Sequence, residues 1–270
     1  MDNELRLWLW LTRRLPQVRG SVFVADRCAR IYRRKTRNAV SIDVLGARMI
    51  LDPQEYVDGQ LLFYPQMKDH DEVAYMEDNL TEGCCFVDVG ANIGFYSLVA
   101  SRLVGDEGRV IAIEADPYSH GKLRSNLELN AATNVRALNL GVSDRRGTER
   151  LGINVTGNRG NSGFYSDSAH GADVPCLPLQ EVLTQQGVHR VDGAKLDIEG
   201  HEFRVLSRFF AESSDTLFPK FIVIEHNASI PKKARTRIGG DAVGLLKSKG
   251  YRVHSSNKDN HIMVLRQLGS

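Results

Sequence analysis

The sequence predicts a doubly wound α/β domain, with a mostly parallel sheet wrapped by helices on both faces, behind an N-terminal extension. Three observations predict it. From residue 84 onward, short apolar runs alternate with segments of helical periodicity, the pattern of successive βα units. The first of these runs, residues 86–89, breaks into a glycine-rich turn that opens directly into a helical pattern. The last two runs, 251–254 and 261–265, are separated by a short turn-rich stretch, so they can pair as a hairpin and give the sheet an antiparallel C-terminal edge.

In chain order, residues 1–38 form an arm that is apolar and tryptophan-containing first and arginine-rich afterwards. Residues 39–80 form a β/α extension: alternation over 39–51 around Gly46 reads as strand, turn and strand, and a helix is expected over 71–80. The domain proper spans 81–270. Its expected strands are 86–89, 109–113, 135–140, 194–198 and 221–225, with helices over 93–104, 118–130, 202–210 and 241–249 between and after them. An insertion over 148–177 separates the third strand from the fourth. Its centre is dense in glycine and asparagine and includes Tyr165, which suits either a plain hairpin loop or a lid offering amide donors to a polyhydroxylated acceptor.

Length and composition exclude several classes. With 270 residues, 42% hydrophobic and 25% charged, the chain can bury a full core and is neither disordered nor a disulfide-stapled miniprotein. The four cysteines show no metal or disulfide spacing, so a reducing, cytoplasmic setting is expected. No apolar stretch is long enough to span a bilayer. A net charge of +2 hides an asymmetry: residues 1–40 carry +7 and the remainder −5. Two readings of the arm follow. It packs on the body through Trp8 and Leu11 with its arginines solvated, or it makes a peripheral contact with the inner membrane face or a protein partner. Nucleic acid is not expected as a partner, because the basic residues cluster far in sequence from the strand ends.

Those strand ends carry the binding signal. The first strand leaves as Asp88-Val89-Gly90-Ala91-Asn92-Ile93-Gly94. A dinucleotide fingerprint would need glycine where Asn92 and Phe95 stand, which disfavours a nicotinamide coenzyme and an oxidoreductase. An acid two residues before Gly90 suits a cationic ligand with an amino group, such as S-adenosyl-L-methionine. The second strand leaves as Glu114-Ala115-Asp116, where an acid can accept ribose hydroxyls, and the third through Gly141-Val142-Ser143-Asp144, which places polar groups near an adenine.

Together with Leu127-Glu128-Leu129-Asn130 and Lys195-Leu196-Asp197-Ile198-Glu199-Gly200-His201-Glu202, these motifs resemble the FkbM-type S-adenosylmethionine-dependent methyltransferases over roughly residues 60–230. The resemblance implies a Rossmann-like, seven-stranded sheet. It also implies O-methyl transfer to a hydroxyl of a sugar, glycan or other small natural product. It assigns Asp88, Gly90, Ala91, Asn92 and Gly94 to the methionine part, Glu114 and Ala115 to the ribose, and Ser143 and Asp144 to the adenine. His201 departs from the small residue expected there.

A hydroxyl acceptor must lose a proton as it attacks, so a base is needed where the fourth and fifth strands end. Asp197, Glu225 and His226 are the candidates, His226 by its ordinary pKa and the two acids as orienting groups or direct bases. Glu199 and Glu202 read as acids of a helix's first turn, and His201 as a residue of that turn at or near the surface. Metal use is not expected from this spacing. A scaffold without catalysis, recruited through the basic arm, is the alternative.

Overall fold

A computed structural model describes residues 3–16, 18, 20–33, 38–154, 162–164, 170–225, 240–257 and 260–266. The chain starts with two helices, α1 (Asn3–Thr12) and α2 (Ser21–Arg33). Their inner faces, Leu5 and Leu9 of α1 and Ala25, Ala29 and Tyr32 of α2, join the apolar cluster of the body. Of the two arm contacts expected from the sequence, Trp8 packs against that cluster, whereas Leu11 is exposed. The helical period turns Leu11 away from the face that carries Leu5 and Leu9. Nor is every arginine solvated: Arg13 donates to the carbonyls of Leu62 at 3.0 Å and Asp43 at 2.7 Å, clamping the end of α1.

Next come β1 (Val40–Val44) and β2 (Ala47–Leu51), an antiparallel hairpin turning at Leu45 and Gly46. The helix α3 (Tyr56–Phe63) gave no periodic signal because nearly all of it is enclosed, Asp58 and Gly59 as well as Leu61, Leu62 and Phe63. After it, α4 (His70–Asn79) runs into the central sheet.

That sheet is built from β3 (Cys85–Val89), α5 (Phe95–Val104), β4 (Arg109–Ile113), α6 (Pro117–Leu129) and β5 (Val135–Leu138). A small sheet follows, of β6 (Gly141–Val142), β7 (Gly147–Gly152) and β8 (Gly171–Leu177). The chain then returns through α7 (Leu179–Gln185), β9 (Gly193–Leu196), α8 (Glu202–Glu212), β10 (Phe221–Glu225), α9 (Ala242–Ser248), β11 (Tyr251–Ser256) and β12 (Asn260–Leu265). The large sheet has seven strands in the order β11-β12-β10-β9-β3-β4-β5. Its five strands from β10 to β5 are parallel, and β12 pairs antiparallel with both β10 and β11. This is the Rossmann-like mixed sheet with an antiparallel C-terminal strand that the sequence predicts.

The parallel strands are buried on both faces, as near-continuous apolar runs require. Phe86, Val110, Ala112 and Val223 look into one apolar layer, which also takes in α1–α5; Val87, Ile111, Ala194, Leu196 and Ile224 look into the other, with α7 and α8. Strand order reverses between β3 and β9, so the carboxyl ends of β3, β4, β9 and β10 surround one crevice.

Candidate active site

The crevice holds a cavity of about 280 Å3. Its floor is the turn after β3. Gly90 is in the left-handed region (φ +81°), and a Cβ there would stand 1.9 Å from the carbonyl oxygen of Asp197, so only glycine lets β3 and β9 lie this close at their ends. Ala91, Asn92, Ile93, Phe95 and Tyr96 continue the floor into the start of α5. The turn's own amides are already used: Gly90 and Ala91 donate to the carbonyl of Ile113, each at 2.9 Å, and Asn92 donates to Glu114 Oε2 at 2.7 Å. Glu114 also accepts from Asp116 N at 2.8 Å, so it ties the ends of β3 and β4 together while lining the cavity beside Ala115. Burial raises its pKa to about 7, against the opposing effect of those two backbone donors.

Beside the turn, the ends of β9 and β10 deliver an acidic cluster around the buried cation Lys195. Lys195 is almost fully enclosed, donates to Asp197 Oδ2 at 2.6 Å and stands 4.8 Å over the ring of Tyr96. Its burial disfavours the charge, but Asp197 and Asp88 outweigh that and hold it protonated. Asp197 responds in kind: burial pushes it up and Lys195 pulls it further down, leaving it ionised. Asp197, Glu199 and Glu225 each present an oxygen within 4.8 Å of the others, close enough to couple their titrations or to share a divalent cation. Burial, then repulsion from Asp197, raises Glu199 to about 8 and Glu225 to about 9. At neutral pH this cluster holds protons.

Three residues on the cavity wall have positive φ without being glycine: Asp69 (+48°), Asn92 (+50°) and Glu199 (+51°). Such conformations persist where surrounding structure over-determines them, and they gather at working sites.

The geometry is now matched by relationship. Residues 88–253 match the family described as the methyltransferase FkbM domain. The chain belongs to the FkbM methyltransferase family. Methyltransferase sdnD of Sordaria araneosa is 30% identical over 181 residues, 56% of this chain and 68% of that protein. Among solved structures, cofactor-bound Rv0187 from MTB is similar at a TM-score of 0.49 and 12% identity, covering 99% of both chains. The O-methyltransferase from Bacillus cereus in complex with SAH is similar at 0.46 and 12%, covering 97% of this chain and 100% of that one. This FkbM protein is a methyltransferase that depends on S-adenosyl-L-methionine, and the nicotinamide alternative is set aside.

The residues present fit that cofactor. Asp197 is ionised at the cavity, and Asp69, Glu114, Glu199 and Glu225 add further oxygens beside Lys68 and Lys195, a polar lining that suits the amino group and hydroxyls of such a ligand. Glu114, Ala115, Gly90, Ala91 and Asn92 line the cavity as the sequence predicts, and Gly94 caps α5 from just beside it.

Other placements differ from the sequence reading. Asp88 does not line the cavity. It is buried behind the turn, where one oxygen accepts from Ser97 Oγ at 2.6 Å and burial raises its pKa. It therefore braces the turn against α5. Ser143 and Asp144 also stand away from the cavity, because β5 ends at Leu138, two residues earlier than predicted, and the chain enters β6 instead. Ser143 donates to Glu149 at 2.5 Å, and Asp144 is held by Arg204 at 2.8 Å. The wall they were expected to supply is made by Leu140, Gly141 and Val142, faced by Leu151 of β7 and by Phe164 in the connection between β7 and β8. His201 is enclosed, not at the surface, with its ring 5.0 Å from that of Phe164. Glu202 is the helix-start acid predicted, accepting from Ile198 and Gly200 at 3.0 and 3.2 Å, whereas Glu199 is not in the helix at all. His226 and Tyr165 lie outside the described residues.

Proposed function

We propose that this chain is an O-methyltransferase acting on a hydroxyl of a sugar, glycan or other small natural product. The observation that carries the reading is the carboxyl cluster Asp197, Glu199 and Glu225, which lines the cavity beside the turn after β3. S-adenosyl-L-methionine, when bound, supplies an electrophilic methyl group on sulfur. The chain's own task is to align an acceptor oxygen and take its proton. An alcohol is a weak nucleophile, and a carboxylate of ordinary pKa is a weak base toward it. Glu199, raised to about 8, is the better-matched acceptor of that proton. Burial, then repulsion from Asp197 and Glu202, maintains its basicity, and Lys195 fixes Asp197 in place. Tyr56, Gln60, Lys68 and Asn260 add polar groups along the same wall, as directional binding of a polyhydroxylated acceptor requires.

The test begins with calorimetric titration of the full chain by S-adenosylhomocysteine, with NADH in parallel. Binding of the first at roughly micromolar affinity and none of the second is expected. Methyl transfer to a panel of polyols and glycosides, read by NMR of the product, then checks for a new methyl on oxygen. A methyl found on nitrogen or carbon would replace the hydroxyl reading. Chelation of divalent ions should leave turnover unchanged, because the proton acceptor is the chain's own carboxylate. Turnover that needs added Mg2+ would make the three carboxyls a cation site.

A further inference from the structure

We propose that α1 and α2 form a docking face for an anionic lipid bilayer. Each helix has two apolar faces. The inner ones, described above, hold the helices on the body. The outer ones have no cover among the described residues. On α1, Leu7, Trp10 and Leu11 follow the i, i+3, i+4 spacing of a single stripe, and Trp10 is 54% exposed. On α2, Phe23, Val24 and Ile31 form the corresponding stripe, and Phe23 is 67% exposed. Large apolar side chains grouped on adjoining helices mark a binding surface, whereas scattered ones do not.

The charge beside them selects the occupant. Arg14 lies 4.6 Å over the ring of Trp10, continuing the α1 stripe one turn further. Arg27 and Arg30 stand on the same side of α2 as Phe23, and all three arginines are exposed. By sequence the arm carries +7 against −5 for the rest of the chain, so the segment that bears the bare apolar stripes is also the basic one. Tryptophan and phenylalanine at acyl depth with arginine heads at phosphate level is the arrangement of an interfacial helix. No helix among the described residues is long and apolar enough to cross a membrane, so the contact is one of lying on the surface. The position is also useful. Val22 of α2 lines a second cavity, of about 230 Å3, with Gln60, Lys68 and Asp69, which line the main cavity too. A bilayer at this face therefore lies beside an entrance to the catalytic crevice. Docking does not depend on which acceptor is methylated.

The experiment is co-sedimentation of the full chain with vesicles of phosphatidylcholine alone and of phosphatidylcholine with phosphatidylglycerol. Binding to the anionic vesicles, weakened by salt, and little to the neutral ones is expected. The double variant Trp10→Ser, Phe23→Ser should lose binding by more than about tenfold, and Arg27→Glu by roughly fivefold or more. Thermal melting and S-adenosylhomocysteine affinity, unchanged in both variants, show that they fold. Absence of binding to anionic vesicles, or equal binding by properly folded variants, overturns the proposal. So does concentration-dependent dimerisation that the double variant abolishes, since the face would then join two copies of the chain.

Discussion

Glu199 shows how a working residue can hide at the scale of single side chains. In the sequence it precedes a helix together with Glu202, and acids there ordinarily complement the helix N-terminus. Glu202 does so. Glu199 is instead turned by its positive φ into a cavity that already holds Asp197 and Glu225, and 26 positions separate it from the latter. No spacing rule exposes such a group, because the cluster exists only after β9 and β10 are paired. Glu114 and Gly90 were legible for the opposite reason: their roles follow from local strand-to-turn chemistry. If Glu199 is the proton acceptor, it must be ionised to work, and its carboxyl stays protonated below about 8. The expected profile of kcat/KM therefore climbs by about tenfold per pH unit below that value and levels above it. Glu199→Gln should lower turnover by on the order of a hundredfold or more and abolish the climb, while S-adenosylhomocysteine affinity holds. A flat wild-type profile between pH 6 and about 8 would remove Glu199 from the role.

At the scale of elements, the strands that form the centre of the sheet were readable almost to the residue. β4 and β10 are apolar on both faces, so their runs are uninterrupted and their ends abrupt. The small sheet was not readable. β7, Gly147–Gly152, is Gly-Thr-Glu-Arg-Leu-Gly, exposed over half of its length, and a strand with polar residues on both faces carries no alternation. The hairpin of β7 and β8, whose loop the sequence allowed but whose strands it did not mark, supplies a wall of the cavity and brings Gly141 and Phe164 where Ser143 and Asp144 were expected. The two residues are matched: a Cβ on Gly141 would lie 2.5 Å from Phe164 Cζ, so the glycine makes room for the ring. With Leu140 and Leu151 beside it, the ring offers an apolar, flat contact to a purine. Phe164→Ala should weaken S-adenosylhomocysteine binding by roughly tenfold, the worth of one aromatic contact, with little change in melting temperature. Undiminished affinity in calorimetry would place the adenine elsewhere.

For the molecule as a whole, concentrating carboxyls in one crevice has a thermodynamic consequence. Glu114, Glu199 and Glu225 are raised from an ordinary 4.5 to about 7, about 8 and about 9, in every case chiefly by burial. Above pH 4.5 the unfolded chain releases these protons while the folded chain keeps them, so the folded state binds more protons and stability must fall as pH rises. The fall should run through pH 7 and continue to about 9, where the last of the three ionises in place. Groups with depressed values act in the other direction. Asp144 under Arg204 and Asp192 under Lys220 stabilise the fold above their ordinary range and lose that contribution only in acid. The two sets together put maximum stability on the acid side of neutrality. All three line the cavity, so a site built for binding is held at some expense to the apo fold. Melting temperatures of the apo protein should decline steadily from pH 6 to 9. Glu225→Gln should flatten the alkaline part of that decline, because the amide has no proton to lose. A melting temperature that rises across the same range would mean that the three carboxyls are already ionised in the folded protein. The proton-holding crevice, and with it the basicity assigned to Glu199, would then have to be abandoned.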